Sequence, residues 1–73
     1  MSLAKYFKKN VKIKDKNNKY WRGFVSIHTP ADDNEDGLES ICIDMDKKDN
    51  PELNINGLYE YNENEIKEIE IVD

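Results

Sequence analysis

Only one cysteine, one histidine, two prolines and three glycines occur among the 73 residues of this chain. A lone cysteine makes neither an internal disulfide nor a cysteine-ligated zinc ribbon. Packing must therefore hold the fold, alone or completed by other copies of the chain. The glycines fall at 23, 37 and 57, too dispersed to form a loop that cradles phosphate. The longest unbroken apolar run is Ile41-Cys42-Ile43, against the roughly 18 residues of a membrane span. No basic segment followed by an apolar stretch opens the chain, so the expected location is the cytoplasm. A chain this short hides only about 60% of its unfolded surface on folding, which argues against an enzyme with a deep enclosed cleft.

Charge is plentiful, at 37% of residues, and unevenly placed. Residues 1–22 hold eight Lys or Arg against Asp15 alone, a net of +7. Residues 23–73 hold three lysines against fifteen acids, a net of −12, so the overall −5 conceals two opposed blocks. Such blocks form a basic face for phosphate, complementary charge between neighbouring copies, or ordinary solvated surface.

Leu3 and Phe7 are four apart, with Ser2 available as a cap, and predict a short amphipathic helix over about residues 2–8. Val11-Lys12-Ile13-Lys14 alternates strictly, as a half-buried strand does. Asp15-Lys16-Asn17-Asn18 is turn chemistry, because Asp and Asn tolerate left-handed backbone geometry. A second strand spans Tyr20–Ile27, with Trp21, Gly23, Val25 and Ile27 on one face. Gly23 weakens a strand unless the strand bends sharply or another backbone approaches closely. After a polar loop, Glu39–Asp44 alternates again through Ile41 and Ile43. Leu53 to Tyr61 reads as one interrupted strand or as two flanking Asn56-Gly57. Beyond a turn at Asn62-Glu63-Asn64, the step from Ile66 to Ile69 predicts a helical turn feeding a last strand. The predicted core is Leu3, Phe7, Val11, Ile13, Trp21, Val25, Ile27, Ile41, Ile43, Leu58, Ile66, Ile69 and Ile71.

Five short strands in a single domain over residues 1–73 predict an all-β barrel or small sandwich. The opening Val11-x-Ile13-x-Asp15, followed by Trp21-x-Gly23-x-Val25, resembles the first motif of the Sm/LSM-like branch of SH3-like barrels. Asp33-Asn34-Glu35, Glu39-Ser40-Ile41 and the ending Glu65-Ile66-x-x-Ile69-Glu70 are similar to small uncharacterised Sm-like proteins of Gram-positive bacteria. The resemblance covers about residues 3–72. It implies a five-stranded SH3-like (Sm-like) barrel with a short N-terminal helix, and a homo-oligomer in which fourth and fifth strands pair edge to edge. The family's uridine pocket does not carry over, because His28-Thr29-Pro30-Ala31-Asp32 and Asn64-Glu65 stand where its Asp, Asn and Arg-Gly are expected.

The expected function is a non-catalytic module that self-associates through strand edges. The alternative is an RNA-binding Sm-like ring. Its expected contacts are Lys5, Lys8, Lys9, Lys12 and Arg22, since lysines track phosphates while Tyr6, Phe7, Tyr20, Trp21 and Phe24 offer faces for stacking. Asp32-x-Asn34-x-Asp36-Gly37 matches the first half of a calcium loop, but position twelve is Ile43 where a bidentate Glu is needed. His28 and Cys42 are the only residues of their types, and Cys42 lies between core isoleucines, so a nucleophilic pair is not expected. No cofactor, metal, membrane contact or small-molecule substrate is inferred.

Overall fold

The computed structural model describes residues 2–72. Five antiparallel strands form one sheet: β1 (Asn10–Asp15), β2 (Tyr20–Thr29), β3 (Ser40–Met45), β4 (Gly57–Asn62) and β5 (Ile66–Ile71). Their spatial order is β4-β3-β2-β1-β5. β1, β2 and β4 sit where alternation places them, extended by a residue or two, and β3 runs one residue later than expected; no strand forms at Leu53–Ile55, and β5 is strand from Ile66 in place of the expected helical turn. Asn18 closes the β1–β2 hairpin at φ 65, as the turn chemistry requires.

The β4–β5 connection dictates the shape of the sheet. These strands are its opposite margins, yet only three residues separate Asn62 from Ile66. Four residue steps reach about 14 Å at most, whereas the margins of a flat five-stranded sheet lie about 19 Å apart. The sheet must curl until its margins approach at that turn. There Glu63 N–H donates to Glu39 O at 2.8 Å, and Lys16 N–H donates to Glu65 O at 3.0 Å. Among the described residues no ladder joins β4 to β5, so the expected closed barrel is corrected to a curled, open sheet. A turn ties the margins at one end, and each margin has a strand neighbour on one side only.

Two features of β2 allow the curl. A Cβ on Gly23 would strike Asp44 O and the Ile43 side chain, so glycine there lets β3 cross close by. Two residues later the ladder slips: Val25 pairs with Ile43, but Ile27 pairs with Cys42, leaving Ser26 as an inserted residue. Such a bulge bends its strand and reverses the facing of the residues beyond it. His28 therefore takes the inward parity predicted for Ile27, and Ile27 is exposed.

The concave face gathers Leu3, Tyr6, Val11, Ile13, Val25, Ile41, Ile43, Met45, Leu53 and Ile66. Trp21 and Ile69 pack against this core half-buried, whereas Phe7, Ile27, Leu58 and Ile71 are exposed, contrary to expectation. The N-terminal helix is a single 3₁₀ turn over Ala4–Tyr6, flanked by Leu3 with no side-chain cap. Three residues per turn bring Leu3 and Tyr6 into line, so Tyr6 is buried in place of Phe7. Leu53 enters the core from the loop before β4, and Ile55 points to solvent. At the end of the chain, the three-residue step before Ile69 reflects a slip of the β1–β5 ladder between Lys14 and Asp15.

Candidate functional site

Two parts of the surface stand out, the outward face of the β1–β2 hairpin and the pair of open margins. Two buried polar side chains build the hairpin. Asp15 accepts the Asn17 and Lys19 N–H groups at 2.8 and 3.0 Å and the Trp21 indole N–H at 2.8 Å. Burial would raise its carboxyl, but these donors and the Lys19 charge outweigh that and hold it below the ordinary aspartate range. Asn50, from the loop after β3, takes the Arg22 N–H on Oδ1 at 2.7 Å and returns Nδ2–H to Arg22 O at 2.8 Å. It thus stands in for a strand neighbour where β3 has ended.

The outward side of this hairpin is cationic and aromatic. Lys12 lies opposite Arg22, and Lys14 opposite Tyr20. The Tyr20 ring is 54% exposed, with the Lys12 and Lys14 ammonium groups 4.8 and 5.7 Å from its centroid. A groove of about 710 Å³ runs along it, lined by Lys12, Lys19, Tyr20, Trp21 and Arg22 together with Asp49 and Glu52. Of the expected nucleic-acid residues, Lys12 and Arg22 share this face. Lys5, Lys8 and Lys9 lie in the segment before β1, where Lys8 N–H and Lys9 O bond to Val25. Lys8 holds a left-handed φ of 64, and its ammonium sits 5.4 Å from the Phe7 ring centroid. Glu70 and Glu68 oppose Lys12 and Lys14 on β5, with Lys14 Nζ 3.6 Å from the Glu68 carboxylate.

The margins differ in chemistry between their two sides. On the concave side β4 carries Tyr59 and Tyr61, paired to Ile43 and Ile41, while β5 carries Ile69 and Ile71, paired to Ile13 and Val11. Ile71 remains 48% exposed, although its partner Val11 is fully buried. Burial and the nearby Asp15, Glu65 and Tyr59 push the Tyr61 phenol up to about 12, so it stays neutral. On the convex side stand Leu58, 52% exposed, and Glu60 on β4, with Glu68 and Glu70 on β5.

The remaining sequence candidates have structural partners. His28 Nε2 lies 2.6 Å from Glu39 Oε2, and Glu39 Oε1 accepts the Leu3 N–H at 2.9 Å, which pins the N-terminal segment. Burial would raise the Glu39 carboxyl, but His28 and the Leu3 N–H more than offset it and lower it. Cys42 lies on the convex face beside Glu60, away from His28, and burial together with that carboxylate pushes its thiol up. In the acidic loop, Asn34 donates to Leu38 O and Ser40 Oγ, and Asp36 accepts the Leu38 N–H, so these side chains cap the turn. Among the described residues, no three His, Cys, Asp or Glu side chains are grouped to hold a metal ion. Nor, among them, is any helix long and apolar enough to cross a membrane.

Sequence reasoning missed Asn50 and the His28–Glu39 pair. An Asn in a polar turn gives no sign of its inward aim, and the His28 parity depends on an unforeseen bulge. Comparison of the chain with family models, with curated proteins and with solved structures finds no match.

Proposed function

We propose that this chain is a non-catalytic, Sm-like β module that self-associates by pairing β4 of one copy with β5 of the next. The observation that carries this reading is the pair of open margins. β4 and β5 each have a single neighbour, and each is six residues long. Both bring incompletely buried apolar side chains to the concave side of the gap. Unpaired backbone groups beside apolar surface are the usual condition for strand addition. The order β4-β3-β2-β1-β5 also leaves free the same fourth and fifth strands that the Sm resemblance assigns to contacts between copies. Light scattering at rising concentration, in both low and high salt, tests the reading. The expected result is an oligomer that Ile71→Lys dissociates, and a monomer throughout would overturn it.

A second reading, RNA or single-stranded DNA binding, is favoured by the Tyr20 face. An exposed ring flanked by Lys12, Lys14 and Arg22 offers stacking beside phosphate contacts. Against it stand Glu68 and Glu70 on the adjoining strand, together with the acidic total. Fluorescence anisotropy with oligouridylate at low salt decides the matter. Saturable binding that is lost in Lys12→Glu is the expected signature, and a flat titration removes this reading.

A further inference from the structure

The parity of the two margins fixes which side chains meet when they pair. Tyr59 and Tyr61 face the concave side with Ile69 and Ile71, so a productive antiparallel register keeps these together. Setting Tyr59 opposite Ile71 and Tyr61 opposite Ile69 places Glu60 directly opposite Glu70. Shifting by two residues, the smallest step that preserves the facing, places Glu60 opposite Glu68 in one direction and opposite Val72 in the other. Every such seam is apolar on its concave side and bears carboxylates on its convex side.

The surroundings do not relieve this on both sides. Behind β5, Lys14 and Lys12 already face Glu68 and Glu70 across the β1–β5 ladder. Behind β4, the convex residues of β3 are Asp44, Cys42 and Ser40, with no cation, and the Ser40 hydroxyl donates to Glu60 Oε2 at 3.3 Å without neutralising it. Like charges directly opposite one another destabilise a strand pair, and dissolved salt screens charges exposed at a surface.

Resting on the self-association reading above, we infer that the seam between copies is gated by ionic strength. The Glu60 carboxylate of one copy, set against Glu68 and Glu70 of the next, holds the copies apart at low salt and lets the apolar side join them when salt rises. The partner is a second copy of this chain, and the gate is a local carboxylate contact distinct from the overall acidity.

The decisive experiment measures association by sedimentation equilibrium in sodium chloride from low to high concentration, on the wild type, Glu60→Lys, Glu60→Gln and Asp33→Lys. Asp33 lies in the short 3₁₀ turn after β2, outside both margins, and its replacement changes net charge as much as Glu60→Lys does. The expected result is wild-type association that strengthens by up to about fivefold on adding salt, the scale of one like-charged cross-strand pair. Glu60→Lys should reverse the sign and associate best at low salt. Glu60→Gln should flatten the dependence, and Asp33→Lys should behave as the wild type. A shift in Asp33→Lys as large as in Glu60→Lys would assign the effect to net charge and overturn the inference. Association indifferent to salt in the wild type and Glu60→Lys would overturn the gate and leave edge pairing intact. Absence of association in all four proteins at every salt concentration would remove the edge reading, and the gate with it.

Discussion

The hairpin side of this sheet and its margins are built from the same alternating pattern but finished to different degrees. Around β1 and β2, buried backbone groups find side-chain partners where strands run out. Asp15 satisfies two turn amides and an indole, and Asn50 completes the Arg22 peptide groups. At β4 and β5 such completion is confined, among the described residues, to the connecting turn, where the Asn62 N–H donates to Glu65 Oε1 at 3.0 Å, and half-exposed Ile71 and Leu58 stand beside open edges. The contrast separates what specifies the fold, which is concentrated in the hairpin, from what is left available for contact.

Substitutions can break that contrast in order of size. Gly23→Ala should cost the most, about 3 kcal/mol, because the added methyl meets backbone as well as a side chain. Urea unfolding measures it, and a loss below about 1 kcal/mol would mean that β3 moves aside easily. Asp15→Asn comes next at about 2 kcal/mol, since an amide turned toward the Trp21 N–H leaves that donor unpaired.

The same variant should alter the response to acid. A carboxyl held low in the fold contributes stability above the ordinary aspartate range and loses it as pH falls through its folded value. Wild-type stability should therefore drop in that acid window more steeply than that of Asp15→Asn, with Glu39 adding a residual slope of the same sign. Equal slopes in the two proteins would show that Asp15 is not a source of acid sensitivity. Ile71→Lys should have the smallest effect on the isolated domain, about 0.5 kcal/mol, while removing association. A large loss of stability in the monomer would mean that the β5 margin is part of the core after all.

Much of the fold is legible where a strict period of two meets no interruption. Alternation alone places Val11, Ile13, Val25, Ile41 and Ile43 correctly, and Met45 continues the same parity. Gly23 signals a bend or a close approach, and both the curl and the nearby Asp44 backbone supply the cause. Alternation cannot register an inserted residue, so the Ser26 bulge turns Ile27 outward unannounced. Nor does it tell a margin from an interior strand, and Leu58 and Ile71 carry the pattern of core residues without neighbours to cover them. Tyr6 displaces Phe7 because a 3₁₀ turn repeats at three, whereas an α-helix would align residues four apart. Of the candidate surfaces, the lysines are visible in composition. The exposed Tyr20 ring between Lys12 and Lys14 requires the register of β1 against β2.

The position of β1 between β2 and β5 also bears on how the chain acquires its shape. Its contacts with β2 form across a short turn, whereas those with β5 join Val11 to Ile71, nearly the full length of the sequence. Closing so long a loop carries an entropic cost before any contact rewards it. During synthesis the second ladder on β1 has to wait until residue 71 has left the ribosome, and until then the fully buried Val11 and Ile13 of the finished fold lack their last cover.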